Sequence, residues 1–256
     1  MATESVCALC GGTGWKIVEK QDVSGAERCE CAFTGRSERI EERAQIPPLY
    51  RNASLDNFLL PTDNPVARQQ LQQIMSTVNT FVRDFPTEKR PGLLLLGNAG
   101  TGKTHLAVAA LRALIQRGFE GQFCDYQNLL DRIRSGYDVS SNSSDKEAYR
   151  SAMEAELLLL DDLGAHRVTD WVLDTVTSIV TYRCNNKKPL IATSNLLDAA
   201  AGDVLITRSA IQEKTEYGKT LAEHIGPRAR SRLFEMCRVF RMPVIEDYRL
   251  RKAPSW

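Results

Sequence analysis

The sequence predicts an α/β protein in which helices cover both faces of a central parallel sheet. Three observations favour this class. The leucine runs at residues 93–96 and 157–160 have the length and composition of strands that are buried on both faces. Longer segments between such runs repeat their apolar residues at helical spacing. Gly and Pro residues stand at the ends of these segments, where the chain has to turn.

Periodicity and turn residues then give the order of the elements. Between residues 64 and 84 the apolar side chains recur at helical spacing, which predicts a helix ahead of the first core strand. We expect helices at residues 36–45, 64–84, 105–116, 127–135, 168–186 and 219–236. We expect strands at residues 91–96, 121–126, 157–160, 189–195 and 238–242. The serine-rich residues 140–144 are expected to form a flexible surface loop.

The Ile46-Pro47-Pro48 step is expected to separate two domains. Proline disfavours helical backbone in the residue before it, so the first helix should end here. We therefore predict a small N-terminal domain at residues 1–46 and a main domain at residues 47–256. The main domain is long enough to bury its own core, whereas the small one would need a metal or another crosslink.

Composition argues against a membrane or secreted protein. The chain has 256 residues, with 33 basic and 32 acidic side chains and a net charge of +1. No apolar run approaches the ~20 residues that span a bilayer. Residues 1–5 do not begin a basic segment followed by an apolar one, so no secretory signal is predicted. We expect a cytoplasmic protein with no membrane partner.

The balanced net charge conceals two different ends. Residues 1–46 carry six basic and eight acidic side chains, a net of −2. Residues 226–256 carry eight basic and three acidic side chains, a net of +5. The basic end could meet phosphate, nucleic acid or an acidic partner, or it could be a solvated face.

Four of the seven cysteines lie in the first 31 residues and predict a zinc site. Their spacing is C-x2-C, then 18 residues, then C-x-C. Four thiolates suit tetrahedral Zn²⁺, and a closed site of this kind is structural. Reduced thiols in a disordered leader, or a redox pair, are the alternatives. The predicted zinc ligands are Cys7, Cys10, Cys29 and Cys31. The three scattered cysteines, read as small buried apolar residues, are Cys124, Cys184 and Cys237.

A phosphate-binding loop follows the first predicted core strand. Residues 97–104 complete the pattern G-x-x-x-x-G-K-T between a strand and a helix, which is the context that this motif requires. Its backbone N–H groups would face phosphate oxygens, Lys103 would contact the β- and γ-phosphates, and the Thr104 hydroxyl would bind Mg²⁺. The predicted ATP-binding residues are Gly97, Asn98, Ala99, Gly100, Thr101, Gly102, Lys103, Thr104 and His105.

Polar residues at the ends of two later strands complete this site. Asp161 and Asp162 follow the leucine run at 157–160. Asp161 is expected to hold Mg²⁺, and Asp162 to orient or deprotonate the attacking water. After the strand at 189–195, Asn195 or Thr193 could hydrogen-bond the γ-phosphate or the water.

Taken together, these motifs resemble the DnaC/DnaI-type helicase loaders, AAA+ ATPases related to the IstB transposition helpers. The resemblance implies an AAA+ P-loop NTPase, a three-layer sandwich without the usual helical lid, plus a small N-terminal zinc-binding domain. The resemblance spans nearly the whole chain. The motifs that carry it are Cys-Gly-Gly-Thr-Gly-Trp at 10–15, Ile-Pro-Pro-Leu-Tyr-Arg-Asn-Ala at 46–53, the loop at 97–105, Leu-Leu-Leu-Asp-Asp-Leu-Gly at 158–164, Thr-Ser-Asn at 193–195 and Arg-Ser-Arg-Leu at 230–233.

The resemblance also assigns roles and partners. Arg228 and Arg232, four residues apart on one helical face, match the arginine-finger and second-sensor region, and which is which stays open. The zinc domain would contact the replicative DNA helicase, and the ATPase domain would assemble as a homo-oligomer on ATP and single-stranded DNA. Most AAA+ proteins carry Glu where this chain has Asp162, which favours slow hydrolysis. The residues that match the Walker motifs and first sensor are Lys103, Thr104, Asp161, Asp162 and Asn195.

Three other functions remain as alternatives. A transposition helper that acts on duplex DNA shares the ATPase motifs, but such relatives generally lack the cysteine quartet. A small-molecule kinase would need an acceptor pocket and an arginine-rich lid, and no segment of the chain has that character. An interaction module would bind ATP without cleaving it.

Overall fold

The computed structural model describes residues 7–11, 13, 15–20, 23–29, 40–86, 89–136, 143–198 and 220–251. Within these residues the chain forms a two-stranded antiparallel sheet near the N-terminus and a five-stranded parallel sheet. The predicted α/β class is therefore confirmed. No helix of the described residues is long and apolar enough to cross a membrane.

The N-terminal sheet is a hairpin that the sequence analysis did not predict. Strand β1 (Trp15–Lys20) pairs with β2 (Val23–Arg28), with Trp15 opposite Arg28 and Lys20 opposite Val23. Along β1 the exposed apolar residues alternate with residues of the other face, which is the period of a strand. The hairpin follows the first two cysteines and leads to the third, so it connects the parts of the predicted zinc site.

The parallel sheet has the order β4-β5-β6-β3-β7. All four neighbouring pairs are parallel, so the carboxyl ends of the strands lie along one edge. This topology brings the ends of β3, β5 and β6 together although they are far apart in sequence. The strands are β3 (Gly92–Leu96), β4 (Gly121–Asp125), β5 (Leu157–Asp161), β6 (Leu190–Ser194) and β7 (Cys237–Arg241).

Helices cover the two faces of this sheet. One apolar cluster contains α1, α2 and α3, and a second contains α4 to α8. The three-layer arrangement is therefore as predicted. After α1, which is helical over residues 40–43, the helices are α2 (Pro65–Asp84), α3 (Lys103–Gln116), α4 (Tyr126–Ser135), α5 (Ser143–Glu154), α6 (Asp170–Asn185), α7 (Leu221–Ile225), α8 (Pro227–Met236) and α9 (Tyr248–Arg251).

Two helix predictions and one loop prediction differ in part from the structure. The single helix expected at residues 219–236 is divided into α7 and α8, because Gly226 adopts φ 83° and Pro227 begins a new helix. Of the loop expected at 140–144, residues 143 and 144 belong to α5, and the others lie outside the described residues. Of the helix expected at 36–45, residues 40–43 are helical and 36–39 lie outside the described residues.

The segment before the predicted domain boundary packs on the main domain. Ile40, Ala44 and Ile46 are buried in the same cluster as α2 and α3. The carbonyl oxygen of Ala44 accepts a hydrogen bond of 2.7 Å from the backbone N–H of Phe123 in β4. The packed core therefore includes residues 40–46, and the division at residue 46 stays a prediction.

One arginine is part of the core. Arg183 of α6 is fully buried and faces no carboxylate within hydrogen-bonding distance among the described residues. Its guanidinium donates to the carbonyl oxygens of Ala152, Met153 and Ala155 at 3.0 to 3.1 Å, and to that of Pro189 at 2.5 Å. It thereby satisfies the orphan carbonyls at the end of α5 and joins them to the start of β6.

Candidate nucleotide site and cysteine cluster

A cavity of about 360 Å³ lies at the carboxyl edge of the parallel sheet. Its walls come from the loop after β3, the ends of β4, β5 and β6, the 3-10 turn Pro48–Tyr50, and α9. The structure thus brings together residues that the sequence predicted from separate motifs. The predicted site residues on its wall are Ala99, Gly100, Gly102, Lys103, Thr104, His105, Asp161, Asp162, Thr193 and Asn195.

The phosphate loop needs its glycines for space as well as for conformation. Gly100 and Gly102 have φ of 76° and 87°, in the left-handed region. A Cβ atom at Gly100 would lie 2.5 Å from Cγ of Asp247, and one at Gly102 would lie 2.7 Å from Cε2 of Phe58. Gly102 also directly precedes α3, so the loop ends at a helix N-terminus that can face phosphate.

Lys103 lies over this loop. Its Nζ donates a hydrogen bond of 2.7 Å to the carbonyl oxygen of Asn98 and lies 3.5 Å from Oγ1 of Thr101. Burial lowers the pKa of Lys103 to about 8, and the nearby Asp162 and Asp161 carboxylates oppose that shift. A bound phosphate would favour the charged ammonium in the same way.

Thr193 connects the two acidic residues. Its hydroxyl donates to Oδ1 of Asp161 at 2.6 Å and accepts from the backbone N–H of Asp162 at 2.9 Å. Asn195 Nδ2 donates to Oδ1 of Asp162 at 2.6 Å. Thr193 and Asn195, which were expected to face phosphate or water, therefore contact the carboxylates. These two side chains can therefore act on the nucleotide through the carboxylates of Asp161 and Asp162.

The acid pair and Thr104 offer the ligands that Mg²⁺ prefers. Asp161 and Thr104 both line the cavity, and the Thr104 hydroxyl opposes the rise in the pKa of Asp161 that burial causes. Burial raises the pKa of Asp162 as well. Carboxylate and hydroxyl oxygens form the hard donor set of magnesium sites, so these residues fit the metal. The backbone of Asp162 has φ 59°, a conformation that Asp and Asn tolerate better than most residues.

His105 anchors a neighbouring segment. Its Nε2 lies 2.9 Å from Oδ1 of Asn57 and 3.1 Å from the carbonyl oxygen of Ser54, and its Nδ1 lies 3.4 Å from the Tyr248 hydroxyl. Phe58 packs edge-on against the imidazole ring. Both ring nitrogens therefore have protein partners, although the residue lies on the cavity wall.

Five cavity residues were not assigned from the sequence. They are Leu49, Tyr50, Asp125, Tyr248 and Arg249. The backbone N–H of Tyr248 donates to the carbonyl oxygen of Gly100 at 2.6 Å, which fixes α9 beside the phosphate loop. In the sequence, Arg249 is recognisable only as one residue of the basic C-terminal end. No local pattern relates it to the phosphate loop, which lies far away in the chain.

The arginines of α8 lie away from the cavity of their own chain. Arg228 and Arg232 line a separate open groove beside α6. Arg232 pairs with Glu235 at 2.7 Å, and Arg228 is exposed. Arg230 lies between them in sequence and makes two hydrogen bonds of 2.6 and 2.7 Å with the buried Asp198. Arg230 is therefore structural, and the finger and sensor roles of Arg228 and Arg232 stay predictions.

Three of the four predicted zinc ligands are close together. The Sγ atoms of Cys7, Cys10 and Cys29 lie within 4.8 Å of one another, and those of Cys7 and Cys29 are 3.8 Å apart. Tetrahedral Zn²⁺ with Zn–S of about 2.3 Å requires sulfur atoms about 3.8 Å apart, so these positions fit zinc. Cys31 lies outside the described residues.

The remaining cysteines differ in exposure. Cys124 and Cys237 are buried, as predicted, and burial raises the pKa of both thiols. Cys184 is partly exposed, which differs from the prediction, because it lies at the end of α6 beside Glu235 and Arg232.

Comparison with known proteins identifies the family. Residues 37–209 match the family described as IstB-like ATP binding protein. The chain is 28% identical over 180 residues to the uncharacterized protein YqaM of Bacillus subtilis (strain 168), covering 67% of this chain and 55% of YqaM. It is 22% identical over 168 residues to the replicative helicase loader DnaC of Escherichia coli (strain K12), covering 63% of each protein.

A solved structure gives the same result. The crystal structure of the DnaC helicase loader superposes with a TM-score of 0.60 at 30% identity, covering 77% of this chain and 100% of that one. In the two sequence comparisons, by contrast, the chain spans little more than half the length of YqaM and less than two thirds of the length of the E. coli DnaC. The protein belongs to the IstB-like ATP-binding family, and its fold is an AAA+ P-loop domain similar to that of the DnaC helicase loader.

Proposed function

We propose that this protein is an ATP-dependent loader of a replicative DNA helicase, with ATP hydrolysis as its switch. The observation that carries the proposal is the presence, in one chain, of a complete phosphate cavity and a cysteine-supported hairpin with exposed apolar side chains. The relatives named as helicase loaders support it. A transposition helper is not favoured, because it gives the cysteine cluster no role.

The arrangement of side chains in the cavity supports the proposed hydrolysis. The loop amides and Lys103 hold the phosphates, and Thr104 and Asp161 would hold Mg²⁺, which neutralises phosphate charge when bound. Asp162 accepts the proton of the attacking water. Asn195 donates a hydrogen bond to one carboxylate oxygen of Asp162, so that the other carboxylate oxygen can face that water. Arg249 supplies positive charge at the cavity wall from the same chain. In a homo-oligomer, Arg228 or Arg232 of a neighbouring copy supplies further positive charge to this cavity.

The hairpin is the proposed surface for the helicase. Leu9, Trp15 and Ile17 have exposed fractions of 72%, 49% and 80%. Trp15 and Ile17 are two residues apart in β1 and so share one face of the hairpin. Aromatic and apolar side chains exposed on a small unit, which zinc would hold together, are typical of binding anchors.

We expect the Ile17→Lys substitution to weaken binding of the host's replicative helicase about tenfold or more, the size of a central interface contact. Val66→Lys is the matched control, because Val66 is 67% exposed on α2. Binding is measured by isothermal titration with the zinc-loaded protein, and zinc chelation should abolish it. If the zinc-loaded parent does not bind the helicase, the loader proposal fails.

A second surface is proposed to bind single-stranded DNA. The guanidinium carbon of Arg134 in α4 lies 4.7 Å from the ring centroid of Trp171 at the start of α6. Arg134 and Arg167 are exposed, and Trp171 is half-buried. An aromatic ring beside cationic side chains is the arrangement that stacks bases and tracks a phosphate backbone. The segment after Asp162 leads directly to Trp171, so this surface is joined to the hydrolysis site.

We expect Trp171→Ala to lower the affinity for a labelled thymidine oligonucleotide about tenfold, the effect of losing one stacked base. Trp171→Phe should restore most of that affinity, which separates stacking from a general packing defect. Fluorescence anisotropy with ATP present measures both variants, with duplex DNA as competitor. Unchanged affinity in Trp171→Ala would place the DNA elsewhere, and preferential competition by the duplex would revive the transposition helper.

A further inference from the structure

The segment that follows β7 lies against the phosphate loop. This segment, residues 242–248, is here called the brace. The backbone N–H of Met242 donates to the carbonyl oxygen of Leu96, the last residue before the loop, at 2.7 Å. The backbone N–H of Tyr248 donates to the carbonyl oxygen of Gly100, within the loop, at 2.6 Å. The brace is therefore hydrogen-bonded to the chain at both the entry and the middle of the loop.

Side chains of the brace also fill the space beside the loop glycines. A Cβ atom at Gly97 would lie 2.9 Å from Cβ of Met242, and one at Gly102 would lie 3.4 Å from Cδ2 of Tyr248. Asp247 occupies the space beside the remaining loop glycine. The brace thus contacts every glycine of the phosphate loop.

The ring of Tyr248 anchors the brace. It stacks on Phe58, with ring centroids 4.9 Å apart and an interplanar angle of 20°. The phenol oxygen accepts a hydrogen bond of 3.2 Å from the backbone N–H of Leu59 and lies 3.4 Å from Nδ1 of His105. Tyr248 is only 6% exposed. One buried side chain therefore connects the brace to α3 and to the segment that precedes α2.

A phosphate loop that is rich in glycine benefits from such support. Glycine loses more conformational freedom than any other residue when its backbone is fixed, so a single loop conformation costs free energy. If the loop adopts the receptive conformation only part of the time, its apparent affinity for phosphate falls by that fraction. Contacts that fix the loop in advance remove this cost from binding.

We propose that the brace pre-organises the phosphate loop for ATP and that Tyr248 is its positioning residue. Tyr248 acts on the nucleotide through the loop, because its ring holds the backbone N–H that binds Gly100. The inference rests on ATP binding in the cavity and requires no helicase, DNA or hydrolysis.

The first test measures nucleotide binding by stopped-flow fluorescence, with Mg²⁺ and an ATP that carries a methylanthraniloyl group on its ribose. Tyr248→Ala removes the anchoring ring and should lower the association rate constant about tenfold, which corresponds to a receptive loop in about a tenth of the molecules. The dissociation rate constant should change by less than about twofold, because the bound phosphates then hold the loop. Tyr248→Phe keeps the stacked ring and should restore most of the association rate.

The matched control is Tyr149→Ala. Tyr149 is a half-buried residue of α5 that packs on the other face of the sheet, outside the cavity. Its replacement removes a ring of the same size and should leave both rate constants unchanged. If circular dichroism shows that Tyr248→Ala is unfolded, Tyr248→Leu takes its place, because leucine keeps an apolar side chain at this buried position.

Hydrogen exchange gives a second readout, which a general loss of stability would not produce. Without nucleotide, the amides of residues 97–102 should exchange faster in the Tyr248 variant than in the parent. With Mg²⁺ and β,γ-methylene ATP this difference should disappear. An unchanged affinity, a loss of affinity that comes from faster dissociation alone, or equal loop exchange without nucleotide overturns the proposal. A protein that binds no helicase can still give the expected result, so the two proposals fail separately.

Discussion

Replacing Asp162 by Asn is expected to reduce ATP hydrolysis about 100-fold or more while ATP binding is retained. The amide keeps the size of the side chain but cannot accept the proton of water. Asn also tolerates the φ of 59° at this position, so the backbone should remain in place. Asp161, Thr104 and Lys103, which are the proposed ligands of the metal and the phosphates, are unchanged in this variant. The variant should therefore accumulate as an ATP-bound assembly.

The measurement is phosphate release in a single turnover, combined with titration calorimetry for ATP. Lys103→Ala is the contrasting variant, because it removes a charged donor to the phosphates and should weaken binding about 100-fold. Light scattering with ATP and single-stranded DNA then compares the assemblies. If the two variants behave alike, ATP acts only by binding, and the protein is an interaction module. If Asp162→Asn hydrolyses ATP at the parent rate, another group activates the water.

Replacing Arg183 by Met is expected to lower the free energy of unfolding by about 3 kcal/mol or more. The methionine side chain has similar length but donates no hydrogen bond. Three carbonyl oxygens at the end of α5 would lose this donor, and that of Pro189, just before β6, would keep only its 3.3 Å bond from the backbone N–H of Leu158. Burial already lowers the pKa of Arg183 to about 10, which reflects the cost of holding a cation there.

Urea unfolding followed by circular dichroism measures this effect. Arg150→Met is the matched control, because that side chain is 76% exposed on α5 and pairs with the neighbouring Glu147 at 3.6 Å. It should change the free energy of unfolding by less than about 0.5 kcal/mol. Equal stability of Arg183→Met and the parent would show that water or a backbone adjustment satisfies the four carbonyls.

The nucleotide cavity could be predicted because its signals are local. Each contributing segment is a short apolar strand followed at once by glycine, carboxylate or hydroxyl residues, and parallel topology places those ends side by side. Lys103, the acid pair and Thr193 all belong to such segments. The prediction of a single helix at residues 219–236 missed the break between α7 and α8, although the Gly-Pro step there is a local signal of it.

The remaining features depend on contacts between distant parts of the chain. Tyr50 and Arg249 reach the cavity from segments that show no periodicity. Tyr50 belongs to the motif at residues 46–53, but nothing in that motif assigns it to the cavity, and Arg249 is only one residue of the basic end. Arginine usually lies on the exposed face of a helix, and only the packing of α5 against α6 makes Arg183 a core residue. The hairpin escaped prediction because two short strands with several charged residues carry a weak apolar signal.

The close packing around Gly100 and Gly102 changes how glycine mutants of this loop should be interpreted. Asp247 and Phe58, which occupy the space beside the two glycines, are 189 residues apart in the chain. An alanine at either glycine would displace one of these segments before any ligand is added. Loss of ATP binding in such a mutant would measure a steric conflict between remote parts of the chain, so Lys103 is the cleaner position for isolating the phosphate contact.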